Sequence, residues 1–330
     1  MKLLNVKNLR ISFKTSKSEL LAIDGISFEV NKGEILGIVG ETGSGKTITS
    51  LSIMRLLPGN AKVSGEIIFN NKNLLELSEK EMDEIRGKKI SMIFQEPMTA
   101  FDPLYTIGAQ FSEVLFKHEH IRKEEIKRRS VEMLKLVGIP EAEKRFDQYP
   151  HEYSGGMIQR AMIALALLTN PELVIADEPT TGLDVTIQMQ VLNLMKRIQK
   201  TSNLSMIFIT HDLGVISKMA DRIIVLYLGK ILEAGSVKDV IFSPFHPYTQ
   251  GLVSSIPTLS TSRMEKLHSI PGNVPSLSEI KEGCRFYSRC SRRMEICKEK
   301  SPTLFEVSSG HYVACWAVEK NRNLVKMDER

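Results

Sequence analysis

The sequence EILGIVGETGSGKTITSLSIMRLL, residues 34–57, decides the fold. Its first part, residues 34–39, is a short run rich in Ile and Val after a turn signal, which predicts a buried β-strand. Its last part, residues 48–57, has apolar positions at helical spacing. Between them, residues 40–47 fill the pattern G-x-x-x-x-G-K-[ST]. The stretch therefore predicts a strand, a glycine-rich loop and a helix in that order.

A loop of this composition is suited to bind phosphate. Its glycines adopt positive φ angles at low cost, so several backbone N–H groups can converge on one anion. Lys46 supplies a positive charge for the β- and γ-phosphates, and the hydroxyl of Thr47 is a ligand for Mg²⁺. The N-terminus of the following helix adds the positive end of its dipole. We predict a phosphate-binding P-loop here.

A second buried strand ends in two acidic residues. Residues 173–178 read Leu-Val-Ile-Ala-Asp-Glu, and Asp177 stands where the strand ends. A carboxylate there can hold Mg²⁺ directly or through water, and Glu178 can polarise an attacking water molecule. The alternative is a solvated acidic turn before Pro179. The P-loop upstream favours the magnesium function.

Strands alternate with helices along much of the chain. This alternation predicts an α/β fold with a parallel sheet. Residues 222–235 are interpreted as a closing hairpin. Between residues 99 and 150 the sequence becomes helical and charged, with one apolar stripe. After about residue 243 it becomes rich in Pro, Ser and Arg, which indicates a boundary and an extended connector.

Residues 153–160, Tyr-Ser-Gly-Gly-Met-Ile-Gln-Arg, resemble the signature of ABC ATPases, which usually reads Leu-Ser-Gly-Gly-Gln. Tyr153 and Met157 depart from that pattern, but the serine and the two glycines that contact phosphate are present. A Ser-Gly-Gly segment that opens a helix is a second anion site. Two such sites in one chain cannot hold the same γ-phosphate from one side. A dimer in which each site is shared between two subunits resolves this.

Further motifs follow in the order of that family. Gln95, in Ile-Phe-Gln-Glu-Pro, resembles the Q-loop glutamine, which contacts Mg²⁺ and the attacking water. Residues 180–184, Thr-Thr-Gly-Leu-Asp, resemble the D-loop, which crosses the dimer interface. His211 resembles the switch histidine near the γ-phosphate, and Phe13 stands where the family has an aromatic residue stacked on adenine. The resemblance covers residues 1–243 nearly continuously.

The resemblance implies roles for particular side chains. Catalysis is assigned to Gln95, Glu178 and His211. The ligands of Mg²⁺ are Thr47, Gln95 and Asp177. The residues expected to contact nucleotide are Phe13, Gly40, Gly43, Ser44, Gly45, Lys46, Thr47, Ile48, Ser154, Gly155, Gly156 and Asp184.

The expected fold is a RecA-like P-loop NTPase core with an antiparallel β subdomain, a helical subdomain and a small, loop-rich C-terminal metal-binding domain. We place the nucleotide-binding core at residues 1–97 and 158–243, the helical subdomain at 98–157 and the C-terminal extension at 244–330. In the family the helical subdomain docks onto membrane subunits. The alternative is a helical insertion without a partner.

The C-terminal extension resembles a narrower group, the ATPase subunits of dipeptide, oligopeptide and nickel importers. The resemblance lies in Phe-His-Pro-Tyr-Thr at 245–249, Pro-Gly-Asn-Val-Pro at 271–275 and a cysteine block. It is greatest to the D-type ATPase of dipeptide permeases. Import of di- or oligopeptides is the expected function, and nickel import is the alternative. A non-transport ABC ATPase is a rival, but no coiled-coil insertion, nucleic-acid module or tandem ATPase half is visible.

The four cysteines all lie in the extension, with the spacing Cys284-x5-Cys290-x6-Cys297-x17-Cys315. Disulfides are disfavoured in a reducing cytosol, so we predict four thiolates around a structural or redox-sensing metal centre. No C-x2-4-C pair typical of structural zinc occurs, and wide spacing favours a [4Fe–4S] cluster over Zn²⁺. Inert buried thiols are a further alternative. Arg285, Arg289, Arg292 and Arg293 are interpreted as charges that offset such a centre.

The 330 residues are 42% hydrophobic and 25% charged, with a net charge of +5, which is ordinary for a globular protein. No apolar run approaches the roughly 18 residues of a membrane span, and the N-terminus lacks a signal sequence. We expect a peripheral protein on the cytoplasmic face of the cell membrane. The expected partners are two permease subunits, a second ATPase chain in a heterodimer or homodimer, and, indirectly, a solute-binding protein. No nucleic acid is expected.

Overall fold

The computed structural model describes residues 1–16, 18–119, 121–256, 270–280 and 282–320. Parts of the predicted extension therefore lie outside the described residues. The strands are β1 (Lys2–Lys14), β2 (Glu19–Asn31), β3 (Ile35–Val39), β4 (Ala61–Phe69), β5 (Lys72–Asn73), β6 (Ile90–Ile93), β7 (Leu173–Asp177), β8 (Ser205–Thr210), β9 (Arg222–Tyr227), β10 (Lys230–Ser236), β11 (Phe305–Ser308) and β12 (His311–Val313).

The α-helices carry the remaining regular structure. They are α1 (Lys46–Ile53), α2 (Glu79–Asp83), α3 (Ile107–Glu119), α4 (Lys123–Leu136), α5 (Ala142–Phe146), α6 (Gly155–Leu167), α7 (Val185–Ser202), α8 (Leu213–Met219), α9 (Val237–Phe242), α10 (Pro247–Ser254) and α11 (Glu295–Glu299). The predicted alternation of strands and helices is confirmed.

The chain forms two compact units. The first contains Met1–Leu4, Val30–Glu34 and Phe69–Ile209. The second contains the described residues of Asn5–Glu29, Ile35–Ile68 and the chain from Thr210 onward. The P-loop and the C-terminal extension thus belong to the second unit, whereas the acidic strand and the signature segment belong to the first. The domain boundaries at residues 97, 157 and 243 stay a prediction.

The first unit is built on the parallel strands β6, β7 and β8. β7 lies between the other two, with Ile90 opposite Leu173 and Asp177 opposite Ile209. Every residue of β7 is buried, which explains its uninterrupted apolar sequence, because both faces of a parallel sheet are covered. Since parallel strands end at the same edge, the segments after β6 and β7 emerge side by side.

Helices α3 to α6 pack together in the same unit. α4 contacts α3, α5 and α6, and it buries Ile126, Val131 and Leu134 on one face. Its opposite face is charged, with Arg128 paired to Glu125 and Glu132. The helical character predicted for residues 99–150 is confirmed, and the apolar stripe is the face that packs.

The second unit contains two sheets. β2, β1 and β4 are neighbours in that order in one of them. In the other, β3 pairs in parallel with β9, and β9, β10, β12 and β11 follow in an antiparallel series. The hairpin predicted for residues 222–235 is confirmed as β9 and β10. The short strands β11 and β12 of the extension complete this sheet.

A buried carboxylate anchors the start of the extension to β10. The side chain of Glu233 is fully buried, and its oxygens accept hydrogen bonds from the backbone N–H groups of Phe245 (2.8 Å) and His246 (2.9 Å). The ring Nε2 of His311 on β12 lies 2.7 Å from the same carboxylate. Burial lowers the pKa of His246 to about 3, and its Nδ1 accepts from the N–H of Tyr248. The extension is therefore part of the core of this unit.

Candidate functional site

The P-loop connects β3 to α1, as the sequence predicts. All five residues of β3 are buried, and α1 begins at Lys46 directly after Gly45, whose φ is 103°. A Cβ atom at Gly40 would lie 2.1 Å from the carbonyl oxygen of Leu226, so no larger residue fits there. Glycine is thus required at one position for backbone conformation and at another for close approach.

The polar groups of the loop suit an anion. The ammonium of Lys46 is buried and donates to the carbonyl oxygens of Gly40 (2.8 Å) and Glu41 (3.1 Å). The buried hydroxyl of Ser44 has no hydrogen-bond partner among the described residues. A buried hydroxyl without a partner costs free energy, and a phosphate oxygen would satisfy it. Thr47, the predicted magnesium ligand in this loop, is exposed.

Two predicted catalytic residues meet in the first unit. Asp177 is buried at the end of β7, and Glu178 follows it with a left-handed φ of 47°. The Oε2 atom of Glu178 accepts hydrogen bonds from Gln95 Nε2 (3.5 Å) and Thr181 Oγ1 (3.0 Å). A positive φ in a non-glycine residue is strained and recurs at functional sites. The backbone turn and the two donors together fix the direction of this carboxylate.

The signature segment opens helix α6. Ser154 is its N-cap and accepts a hydrogen bond from the N–H of Met157 (3.4 Å). A Cβ atom at Gly155 would meet nothing within 4 Å, so open space lies beside the first turn. Tyr153, which replaces the usual leucine, is buried, and its hydroxyl donates to the carbonyl of Arg145 (2.9 Å). Burial raises the pKa of Tyr153 to about 12. This departure is therefore accommodated inside the protein.

The remaining predicted site residues have the following positions. Asp184 is the N-cap of α7, with its carboxylate accepting from the N–H groups of Thr186 and Ile187 at 3.0 Å each. Its observed contacts are structural. His211 is exposed directly after β8, and Phe13 is half-buried on β1. Phe13, the P-loop with Ile48, and His211 belong to the second unit.

One network at the P-loop is missed by sequence reasoning. Arg289 donates two hydrogen bonds to the carboxylate of Glu41, at 2.5 and 3.0 Å. The hydroxyl of Tyr248 accepts from the N–H of Glu41 at 2.9 Å. The interpretation of Arg289 as a counter-charge for a metal centre is therefore wrong, as is that of Arg285, which pairs with Asp24. The only sequence signal was an arginine beside a cysteine, Cys290, which does not reveal its partner.

The predicted four-cysteine metal centre is not supported. All four cysteines are free thiols, and the described residues contain no group of three or more His, Cys, Asp or Glu that could hold a metal ion. Burial raises the pKa of Cys284 to about 12. The N–H of Cys284 donates to the carbonyl of Cys297 (2.8 Å), so these two residues lie next to each other. Sequence spacing limits how far apart cysteines lie but does not set the direction of their sulfur atoms.

Known protein families and relatives were compared with this chain. A family model described as "ABC transporter" matches residues 23–181, and one described as "Oligopeptide/dipeptide transporter, C-terminal region" matches residues 232–297. The chain is 54% identical to the oligopeptide transport ATP-binding protein OppD of Bacillus subtilis (strain 168), over 99% of this chain and 92% of the relative. The chain belongs to the ATP-binding subunits of oligopeptide and dipeptide ABC transporters.

Other members of this transporter family match over similar lengths. The dipeptide transport ATP-binding protein DppD of Bacillus subtilis (strain 168) is 50% identical over 96% of this chain and 94% of its own. OppD of Escherichia coli (strain K12) is 45% identical over 95% and 93%.

Solved ABC cassettes share the fold. MJ0796, described as a dimeric post-hydrolysis ATP-binding cassette bound to ADP and Pi, superimposes with a TM-score of 0.64 and 28% identity. That match covers 71% of this chain and 98% of the cassette. No helix in the described part of the chain is long and apolar enough to cross a membrane.

Proposed function

We propose that this chain hydrolyses ATP to power the import of di- or oligopeptides through a membrane permease. One observation carries the proposal. A chain about half identical, over nearly its full length, to named peptide transport ATP-binding proteins retains a P-loop lysine, a buried strand-end aspartate and a following glutamate. These are Lys46, Asp177 and Glu178.

The residues of the proposed site have separate roles in binding and hydrolysis. Lys46 and the loop N–H groups bind the phosphates, and Ser44 adds its hydroxyl. Bound Mg²⁺, held by Thr47 and Asp177 with help from Gln95, would neutralise phosphate charge. Glu178 accepts the proton of the attacking water, in an orientation supported by its contacts with Gln95 and Thr181. Because phosphoryl transfer needs little covalent chemistry, these residues act by positioning and electrostatics.

A dimer completes the proposed site. Ser154 caps α6 and open space lies beside Gly155, so an anion from another chain can approach the start of this helix. His211 is exposed, as a residue that senses the γ-phosphate must be. We propose a head-to-tail pair in which the signature segment of one chain covers the P-loop nucleotide of the other. The partner is a second, related ATPase chain or another copy of this one.

The permease would contact the first unit. Met98, Leu104 and Tyr105, which follow β6 and the Q-loop glutamine, are large apolar side chains that are 50%, 79% and 58% exposed. Apolar side chains exposed close together in sequence are typical of interaction surfaces. They support docking of this region onto two membrane subunits. Peptides are the proposed cargo because the relatives are named for peptides, and nickel is the alternative.

Uptake measurements test this function. The chain would be assembled in proteoliposomes with its two permeases, its second ATPase and its solute-binding protein. We expect ATP-dependent accumulation of a labelled dipeptide or tetrapeptide inside the vesicles. Vesicles without ATP and vesicles without the binding protein are the controls. Accumulation of Ni²⁺ with no accumulation of either peptide would replace the proposed cargo with nickel.

A metal at the four cysteines is a separate hypothesis. Four thiols within residues 284–315 are suitable donors for a [4Fe–4S] cluster or Zn²⁺, but the described residues show no group of three that could hold a metal. If the cluster exists, anaerobically purified protein is expected to be brown and to contain iron and acid-labile sulfide. A colourless preparation with one zinc per chain would favour the alternative metal. Thiols that titrate freely in protein containing neither metal would reject both.

A further inference from the structure

Glu41, the second residue of the P-loop, joins the loop to the C-terminal extension. Its carbonyl oxygen accepts a hydrogen bond from Lys46, which ties it to the proposed phosphate-binding lysine. Its N–H donates to Tyr248, and its carboxylate binds Arg289. One residue thus connects the loop to two side chains located more than 200 positions later in the sequence.

Arg289 is held rigidly in this contact. Its side chain is only 4% exposed, whereas that of Glu41 is 29% exposed. The guanidinium also donates to the carbonyl oxygens of Pro271 (3.0 Å) and Ile270 (3.4 Å). Hydrogen bonds to Glu41 raise the pKa of Arg289 further above its usual value. A planar guanidinium with two parallel bonds to a carboxylate fixes both distance and orientation.

Tyr248 is fixed by packing. It is fully buried, and its ring lies 4.7 Å from that of Tyr227 and 5.3 Å from that of Phe286. Phe286 belongs to the same short segment of the extension as Arg289. The hydroxyl oxygen that receives the Glu41 N–H therefore cannot move without disturbing the aromatic cluster.

Because Glu41 carries a negative charge, its contact with Arg289 can affect how tightly the P-loop binds ATP. A carboxylate in a phosphate-binding loop repels the polyphosphate of ATP. The paired arginine offsets that charge and holds the carboxylate through two hydrogen bonds. Without the arginine, the ammonium of Lys46 is the nearest cation in the loop, and Glu41 would compete with phosphate for it.

We propose that Arg289 and Tyr248 are positioning residues for the P-loop, through which the C-terminal extension sets the affinity of this chain for ATP. The inference rests on the proposed function only in taking ATP as the ligand. It assigns to the extension a direct influence on the nucleotide site, whereas the sequence suggested a separate unit.

The test measures binding of magnesium ATPγS to the full chain by calorimetry. Arg289→Gln is expected to weaken binding about tenfold, which is in the range of coupling between linked sites. Adding Glu41→Gln to that variant is expected to restore most of the affinity, because the repelling charge is then absent. The loss should shrink at high salt, since Glu41 is partly exposed. Tyr248→Phe, which keeps the ring and removes the acceptor, is expected to weaken binding less.

Arg285→Gln is the matched control. Arg285 is another buried arginine of the extension, but it pairs with Asp24 on β2. Any loss of affinity in that variant reflects general loosening and should not be restored by Glu41→Gln. Unchanged affinity in Arg289→Gln would overturn the inference, and so would a loss that Glu41→Gln does not restore. A wild-type chain that binds no nucleotide would instead reject the proposed function.

Discussion

Glu178→Gln is expected to stop ATP hydrolysis and leave ATP binding intact. Glutamine has the size of glutamate and still accepts hydrogen bonds from Gln95 and Thr181, so the local structure should persist. It cannot accept a proton from water. Loss of a general base lowers the rate about 10²- to 10⁴-fold. Phosphate release measured on the assembled transporter, or on the ATPase pair, gives the rate.

The same variant should accumulate as a dimer with ATP. Hydrolysis is the step that would separate the two chains, so blocking it leaves nucleotide trapped between them. Size-exclusion chromatography with and without ATP reports this. Glu172→Gln is the matched control, because Glu172 precedes the other end of β7, where it accepts a hydrogen bond from Asn70. Wild-type turnover in Glu178→Gln would remove this residue from the mechanism.

Lys46→Ala is expected to weaken binding of ATP about 10- to 100-fold. The ammonium is buried within the loop, and hydrogen bonds to a charged group contribute about 1.5–3 kcal/mol each. The substitution also removes the hydrogen bonds that Lys46 donates to the carbonyl oxygens of Gly40 and Glu41. Calorimetric titration with ATPγS measures the affinity, and thermal unfolding checks that the loop and α1 still fold.

Lys62→Ala provides the comparison for this prediction. Lys62 is an exposed lysine on β4, paired with Glu19, and its removal should change neither affinity nor stability appreciably. If Lys46→Ala binds ATPγS as tightly as the wild type while Lys62→Ala behaves as expected, the P-loop is not the phosphate site of this chain.

Local sequence patterns predicted the elements that carry the site. Strands β3, β7 and β8 are short apolar runs because both faces of each strand are buried. Their positions could therefore be predicted from the sequence. The phosphate-binding loop at residues 40–47 could be predicted from the spacing of its glycines and lysine. The hydrogen bond between Gln95 and Glu178 was not predicted, because the two residues are 83 positions apart and the family resemblance gave each a separate role.

Contacts over longer separations were not predictable in the same way. Arg289 and Glu41 are 248 positions apart, and nothing in either local sequence selects the other. The predicted metal centre at the four cysteines is not supported for a related reason. The cysteine spacing indicated that the thiols would be neighbours, but coordination depends on the direction of each side chain, which a pattern of one residue type does not contain.

The buried carboxylate of Glu233 has a consequence for how this protein can be divided. Sequence composition alone suggests that an ATPase cassette ends near residue 243 and is followed by an accessory segment. Yet the three donors that satisfy Glu233 come from Phe245, His246 and His311, all beyond residue 243. A chain cut at that residue would lose all three of these hydrogen bonds and the segment that covers Glu233, so β10 is expected to be less stable. Chimeras that exchange the cassette between family members are therefore expected to be more stable when the extension is exchanged with it.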